Sequence, residues 1–391
     1  MALFFLASIA GLFPGLTLPM GLDWKAVHSF DLFFVACLGL AASRRAFRAP
    51  DWPLILAGSG LIAAGAIALW IHPSTVGLRA VASLTYSVTV LLAVSHVQLE
   101  TLGVRVDRTI VWPLLAAVGV AGVVFALENV LGFNIGPNNP RSLPAGVHRF
   151  GGFTGANALI LFLCLGAPFV RGPWLTVIAI LLPAYATLSR GLLGVGIALL
   201  ARGRWKAEAQ WGRVLLLGSG LGIALGLFAY AFALVPVKSA QRTAFNVSLE
   251  PGGYLTLHRA ALRMLQSHPL AGVGPGRFVE EYRSFTSQTE RDHVFEDDVP
   301  GWAPHSAILG LAAEQGLPGL AALGWLFYEI FRRLSRIPDP ELRASAIAGL
   351  TGLLVGGHFV DWLALKGLWL WIGLMVASRS SVQGNLHPTA Q

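Results

Sequence analysis

Long apolar runs separated by short polar segments make up most of this 391-residue chain. A membrane-spanning helix needs roughly 20 mainly apolar residues. By that measure the chain contains about twelve predicted spans, namely 2–20, 27–42, 53–71, 75–95, 109–133, 153–170, 173–189, 190–201, 214–236, 304–330, 343–360 and 364–378. The pattern therefore predicts an all-α polytopic membrane protein that forms one membrane domain over residues 1–391.

Two of these segments are ambiguous. The stretch 173–201 is too short for two full spans and is interrupted by Arg190. Either the helices on both sides of this arginine are short and half-embedded, or the number of spans is odd. At the N-terminus, residues 2–20 lack the positively charged region with which a secretory signal peptide begins, so we interpret them as the first span.

Composition and charge agree with a membrane protein. Hydrophobic residues make up 55% of the chain, charged residues only 12%, and the mean hydropathy is +0.65, values that exclude an ordinary soluble globule. With a cytoplasmic N-terminus, the inner loops hold more than half of the basic residues, as the positive-inside rule requires. We therefore attribute most of the net charge of +8 to membrane topology, with anionic lipid head groups as its partner. No stripe of basic residues indicates binding to nucleic acid.

The longest polar segment, residues 237–303, falls on the outer, periplasmic side in this topology. Within it, apolar residues recur at helical spacing while Arg259 and Arg263 fall on the opposite face; the apolar set is Leu257, Ala261, Met264 and Leu265. This spacing predicts an amphipathic helix on the outer membrane surface. The glycines and prolines of PLAGVGPGRF, which follow, predict a tight turn beside a site.

Two other polar stretches have open interpretations. In 134–157, rich in turn-forming residues, Arg149 either faces an anionic substrate or anchors the loop to lipid phosphates. The acidic run Glu296, Asp297 and Asp298 either holds a divalent cation or, as we favour, forms a solvated turn. The two cysteines, Cys37 and Cys164, lie inside predicted spans and are expected to be buried free thiols.

Arg190 and His305 are the residues best suited to chemistry. A guanidinium inside an apolar stretch suits bidentate capture of phosphate oxygens; the alternative is a structural pairing with Glu128 or Asp361. Pro304 suits the first position of a helix, which would put His305 in the first turn of the next span at the outer boundary. An imidazole there can act as a general base near neutral pH, or it is simply an interfacial polar residue.

Two motifs carry a family resemblance. HPLAGVGPGRF, followed after a gap by PHSAILGLAAEQGLPGL, resembles the signature of the O-antigen ligase family, and RFGGFTGAN and SRG at 189–191 are similar to two further motifs in the same order. Together they cover roughly residues 150–320. The family usually has an arginine and then a tryptophan before H-P-L, whereas counting back from Pro269 without gaps gives Tyr254 and His258.

The resemblance implies a membrane glycosyltransferase of the bacterial inner membrane with a periplasmic active site. Such enzymes take a glycan from undecaprenyl diphosphate and give it to an acceptor. It implies that His305 is the catalytic base and that Arg190 binds the diphosphate, with Arg259 or Arg242 as the second arginine. Neither a metal nor another cofactor is then required. His358 and Asp361, three apart on a predicted helix face, are candidates to orient His305 or the acceptor.

The function expected on this basis is ligation of the glycan to lipid A core by a single inverting displacement. An O-antigen polymerase or a protein O-oligosaccharyltransferase using the same donor is the alternative within the family. A transporter or flippase for lipid-linked glycans is the alternative outside it, although such proteins often contain repeated halves and none is found here. Glu314, roughly 13 Å deeper than His305 by helix rise, is predicted to have a packing role.

Overall fold

The computed structural model describes residues 2–13, 29–133, 150–187, 189–204, 242–244, 247–249, 253–288, 290 and 304–378. These residues are predominantly helical. The helices are α1 Ala2–Leu12, α2 Ser29–Ser43, α3 Trp52–Ile71, α4 Thr75–Ser95, α5 Val106–Val130, α6 Ala156–Gly166, α7 Pro173–Thr176, α8 Leu182–Ala186, α9 Leu192–Arg204, α10 Gly253–Ser267, α11 Phe278–Glu281, α12 Ala307–Leu334, α13 Pro340–Gly356 and α14 Lys366–Ala377.

Four of the described helices, α3, α4, α5 and α12, are long and apolar enough to cross a membrane. Seven other predicted spans correspond to shorter helical segments, and 214–236 lies outside the described residues. The predominantly helical fold is thus confirmed, while the number of twelve spans and the periplasmic position of 237–303 stay predictions.

Exposed tryptophans support a membrane position for α3. Trp52 and Trp70 stand at its two ends with 63% and 87% of their surface exposed. Eighteen residues of helix separate them by about 27 Å, close to the thickness of a bilayer core. Tryptophan favours the two membrane–water boundaries, so this spacing fits a helix that crosses once.

The structure departs from a purely α-helical fold at one point. Arg242–Ala244 and Val247–Leu249 form a short antiparallel hairpin in which Thr243 pairs with Ser248. Threonine and valine favour extended backbone, and no apolar helical repeat is present here to oppose it. The all-α prediction is corrected to this extent.

Helices α9 and α13 pack with their backbones nearly in contact. A Cβ added at Gly194 would lie 2.3 Å from the Gly352 carbonyl oxygen and 2.7 Å from the Gly356 nitrogen. Small residues let membrane helices approach this closely. A Cβ added at Gly356 would lie 3.5 Å from the Gly191 carbonyl oxygen, so the beginning of α9 lies beside the end of α13. Arg190 and His358 stand just outside these ends.

Helix α12 is interrupted at Gly316, where the backbone has φ 69° and ψ −163°. The break and Pro318, which has no N–H, deprive the carbonyls of Ala313 and Glu314 of their usual helical donors. The turn after α10 replaces them: Val273 N–H donates to Ala313 O at 2.9 Å and Gly274 N–H to Glu314 O at 3.1 Å.

The exchange also runs the other way, because Leu317 N–H donates to Pro269 O at 2.8 Å. The two motifs of the sequence are therefore one unit joined through the backbone. The helix that corresponds to the predicted span 304–330 thus contains a break, which the glycine-rich turn fills.

Helix α10 is amphipathic as predicted, but its apolar face does not lie on lipid. Its buried side chains form a small core with Ala313 of α12 and with residues of the following turn and helix; this core comprises Leu257, Ala260, Ala261, Met264, Val273, Phe278 and Tyr282. The prediction of a surface helix whose apolar side faces the membrane is corrected accordingly, since α12 and the turn offer that side a protein surface.

At the far end of α12, Arg333 is fully buried and ion-paired. It pairs with Glu329 one turn earlier and with Asp51 at the N-cap of α3, where its Nε donates to Asp51 Oδ2 at 2.8 Å. Buried charges of opposite sign offset their loss of hydration only while both partners remain. This pairing joins α3 to α12.

We predict that Gly272→Ala destabilises the protein much more than Gly103→Ala. Both glycines have φ near +60°, but an added Cβ at Gly272 would lie 2.3 Å from Glu314 C, whereas at Gly103 it meets nothing within 4 Å. We expect a loss of about 3 kcal/mol or more for Gly272→Ala and about 1 kcal/mol for Gly103→Ala. Unfolding of the two variants in detergent measures this, and equal losses would show that the turn does not need its close approach.

Asp51→Asn is expected to cost about 3 kcal/mol, because it leaves Arg333 buried with one carboxylate fewer. The matched change Asp107→Asn breaks an ion pair with Arg105, whose side chain is 58% exposed, and should cost under about 1 kcal/mol. Melting temperatures of the two variants compare the pairs. Similar small losses in both would contradict a structural role for the buried pair.

Candidate active site

Arg190 lies in the turn that leads into α9. Ser189 shapes this turn: its Oγ accepts from Gly191 N–H at 3.3 Å and its carbonyl accepts from Leu192 N–H at 3.1 Å. The helical segments on either side are short, and the earlier one contains a π turn over Val177–Leu181, a feature often found near functional sites. Arg190 is half-buried at this position.

His305 stands before α12 and not in its first turn. The helix begins at Ala307, and its N-cap is Ser306, whose Oγ accepts from Leu309 N–H at 3.2 Å. A serine hydroxyl satisfies a first-turn amide, so it outcompetes Pro304 in fixing where the helix starts. The predicted helix start is therefore corrected by three residues.

His305 also has a strained backbone. Its φ of 48° places a non-glycine residue in the left-handed region. Residues on both sides hold it there, since Pro304 packs against Gly310 and Ala307 N–H donates to Gly357 O at 3.1 Å. Strain of this kind is often retained at functional sites.

The contact at Gly357 also positions His358. Helix α13 ends at Gly356, so His358 lies in a turn, and the prediction that His358 and Asp361 share a helix face is wrong. Two successive glycines weaken the helix here, and Trp362 packs on Gly357, where a Cβ would lie 2.1 Å from Trp362 Nε1. Asp361 is exposed and accepts from the backbone amides of Trp362 and Leu363.

His258 is the site residue that the sequence predictions did not include. It lies on the buried side of α10 with 6% of its surface exposed, and its ring centroid is 5.3 Å from that of His358. Burial and the positive charges of His358, Arg190 and His305 lower its pKa to about 4. We refer to Arg190, His258, His305 and His358 together as the basic cluster.

The basic cluster is assembled from four separate parts of the fold. Arg190 comes from the entry to α9, His258 from α10, His305 from the entry to α12 and His358 from the turn after α13. Of the predicted residues, the structure thus brings Arg190, His305 and His358 together. Such a group of arginine and imidazole side chains is suited to an anion.

The Glu314 carboxylate accepts hydrogen bonds from the neighbouring turn. Among the described residues, no hydrogen bond joins it to His305. The carboxylate accepts from Phe278 N–H at 3.3 Å and from the Gly276 amide. The carboxylate therefore holds the glycine-rich turn at the N-terminus of α11, in keeping with the packing role predicted for it.

The other predicted arginines are not brought to the basic cluster. Arg259 points away from the buried side of α10, with its side chain 56% exposed and 3.9 Å from Glu290. Arg242 contributes backbone to the hairpin, while its side chain, Arg149 and the acidic run 296–298 lie outside the described part of the chain. Within that described part, no group of three or more His, Cys, Asp or Glu is arranged to hold a metal ion.

A signal for His258 was present in the sequence. Counting back from Pro269 without gaps put His258 at the position where the family usually has tryptophan. Helical spacing also puts it beside the apolar set that faces α12, one residue after Leu257. Because a fixed positive charge suits a diphosphate, the sequence predictions favoured arginines over this histidine.

The comparison with known proteins agrees with the resemblance read from the motifs. Residues 156–324 match the family model described as O-antigen ligase. A search of curated proteins found no match. The matched region contains Arg190, His258, His305 and Glu314, and it ends before His358.

We predict that His305→Gly gives a more stable protein than His305→Ala by about 1 kcal/mol, because only glycine adopts a positive φ without strain. Thermal unfolding of the two variants in detergent provides the comparison. If His305→Ala proves as stable as His305→Gly, the strained turn is not retained in solution.

Proposed function

We propose that this protein transfers a glycan from undecaprenyl diphosphate to lipid A core, because residues 156–324 match the family model described as O-antigen ligase. At the family level it is a membrane glycosyltransferase of the O-antigen ligase or polymerase type. The finer assignment adds the donor, the acceptor, the inner membrane and a periplasmic active site. It rests on the chemistry of the basic cluster.

The observation that carries the proposal is the convergence of Arg190 with three histidines that come from separate parts of the fold. A diphosphate leaving group carries negative charge that increases as the bond to the sugar breaks. Cationic and hydrogen-bonding groups that are already in place stabilise that charge without reorganising. Arg190 supplies a planar fork for two phosphate oxygens.

In the proposed reaction, His305 accepts the proton of the acceptor hydroxyl while that oxygen bonds to the anomeric carbon. The bond from that carbon to the diphosphate oxygen breaks in the same step, and the electron pair leaves with the undecaprenyl diphosphate. Attack opposite the leaving group inverts the anomeric centre. No metal takes part in this proposal, because Arg190 and its neighbours balance the charge of the leaving group.

The remaining site predictions stay proposals. Arg149 and Arg242 are proposed as further diphosphate contacts from the outer segments of the chain. Arg259 would have to leave Glu290 to take part, since it faces away from the basic cluster. His358 contacts the ring of His258, which favours a role on the donor side, while Asp361 is proposed to assist the acceptor.

The test is transfer by purified protein reconstituted with undecaprenyl diphosphate-linked glycan and lipid A core, in the presence of EDTA. We expect wild type to form the lipid A-linked product and His305→Ala to lose about 10²–10⁴-fold in rate, the usual contribution of a general base. His268→Gln, which changes an exposed histidine packed on His72 and Phe285, should retain the wild-type rate.

Each other result would overturn one specific part of the proposal. Growth of the glycan on its carrier would identify a polymerase, and transfer to a polypeptide would identify a protein O-oligosaccharyltransferase. Movement of the intact donor across the bilayer without bond formation would identify a flippase. Equal rates for wild type and His305→Ala would remove His305 as the base.

A further inference from the structure

His258 is a buried histidine with an unused hydrogen-bonding atom. It is 6% exposed, and its Nε2 is buried without a hydrogen-bond partner among the described residues. An unsatisfied buried polar atom costs about 1–3 kcal/mol. In native structures such an atom usually meets an ordered water or ion, or is used by a ligand or a chemical step.

The charged neighbours of His258 come from each element around it. Arg190 approaches from α9, His305 from the entry to α12 and His358 from the turn after α13, and all three are basic. On its own helix, Arg259 and Arg263 lie on the side away from it and contact Glu290. With its pKa at about 4, His258 is neutral at physiological pH before an anion arrives.

An anion in the basic cluster reverses this balance. Two phosphate groups beside Arg190 add more negative charge than the arginine neutralises, and nearby negative charge favours the protonated imidazole. The Nε2 atom that lacks a partner then becomes a charged donor. Charge-assisted hydrogen bonds of this kind are roughly twice as strong as neutral ones.

We propose that His258 is a further donor-binding residue, which takes up one proton from solvent when a diphosphate binds and donates from Nε2 to a phosphate oxygen. This inference rests on the proposed function, because it assumes that the donor carries a diphosphate. It assigns to His258 the second cationic contact for which the sequence offered Arg259 or Arg242. The cation forms only when the ligand is present, so Arg190 is not opposed by a second buried charge in the empty site.

The sequence position of His258 gives the inference its specificity. Counting back from Pro269 without gaps places His258 where the family usually has tryptophan, which has no titratable group. In this chain the same place on α10 holds an imidazole whose ring meets His358. Binding of the donor should therefore depend on pH through a residue that the family motif does not contain.

The experiment is calorimetric titration of detergent-solubilised protein with farnesyl diphosphate at pH 6.5, repeated in buffers that differ in ionisation enthalpy. Proton exchange by the ligand's own phosphates is common to all variants and cancels in their differences. We expect His258→Gln to take up about one proton fewer than wild type. We also expect the affinity of wild type for farnesyl diphosphate to decrease between pH 6 and pH 8, and this decrease to be absent in His258→Gln.

Two further variants separate the roles of charge and hydrogen bond. Glutamine retains an amide donor near Nε2, so His258→Gln should bind more tightly than His258→Leu, which removes the donor and should weaken binding about 10-fold or more. His268→Gln should match wild type in proton uptake and affinity. Size-exclusion profiles and melting temperatures identify any variant that fails to fold, and His258→Asn then replaces it.

The outcomes separate this inference from the proposed function. If His258→Gln matches wild type in proton uptake and in its pH profile, the inference is overturned even where glycan transfer is observed. If wild type binds neither farnesyl diphosphate nor inorganic pyrophosphate, both the inference and the diphosphate donor are overturned. If wild type binds farnesyl diphosphate and His258→Gln takes up about one proton fewer than wild type on binding, both the inference and the diphosphate donor are supported.

Discussion

The arrangement of the candidate site depends on an exchange of backbone hydrogen bonds at the break in α12. Gly316 and Pro318 interrupt the helix, and the break leaves the carbonyls of Ala313 and Glu314 without helical donors. Backbone amides of the turn after α10 donate to these carbonyls instead. Because a buried carbonyl without a donor is costly, neither segment is satisfied alone. The exchange fixes α10 against α12, and with it the side of α10 that carries His258.

A second constraint brings the other half of the site into place. Glycines at the contact of α9 and α13 allow the backbones to approach so closely that the ends of these helices are set with little freedom. Arg190 and His358 stand just beyond those ends, and the bond from Ala307 to Gly357 ties the entry of α12 to them. Backbone contacts therefore fix where the residues of the basic cluster stand.

The apolar pattern was sufficient to locate most helices, because segments such as 53–71 and 75–95 have few ways to bury their surface. It was not sufficient for their ends or breaks, which depend on single residues: Ser306 sets the start of α12, and Gly316 interrupts it only because a distant turn accepts the exposed backbone groups. His305 and Arg190 stood out as polar residues beside apolar runs. His258 did not, since its importance comes from tertiary packing against His358.

Charged groups are distributed differently at the far end of α12 and around His258. At the far end of α12, basic groups are matched by acids, as in Arg333 with Asp51 and Glu329. Around His258, the charged groups that act on the imidazole are all basic, and the nearby carboxylate of Glu314 is occupied by backbone amides. Like charges brought together by folding cost stability unless something else compensates. A site that keeps His258 neutral until an anion enters avoids that cost in the empty protein, and under the proposed function the anion itself supplies the negative charge that stabilises the protonated imidazole.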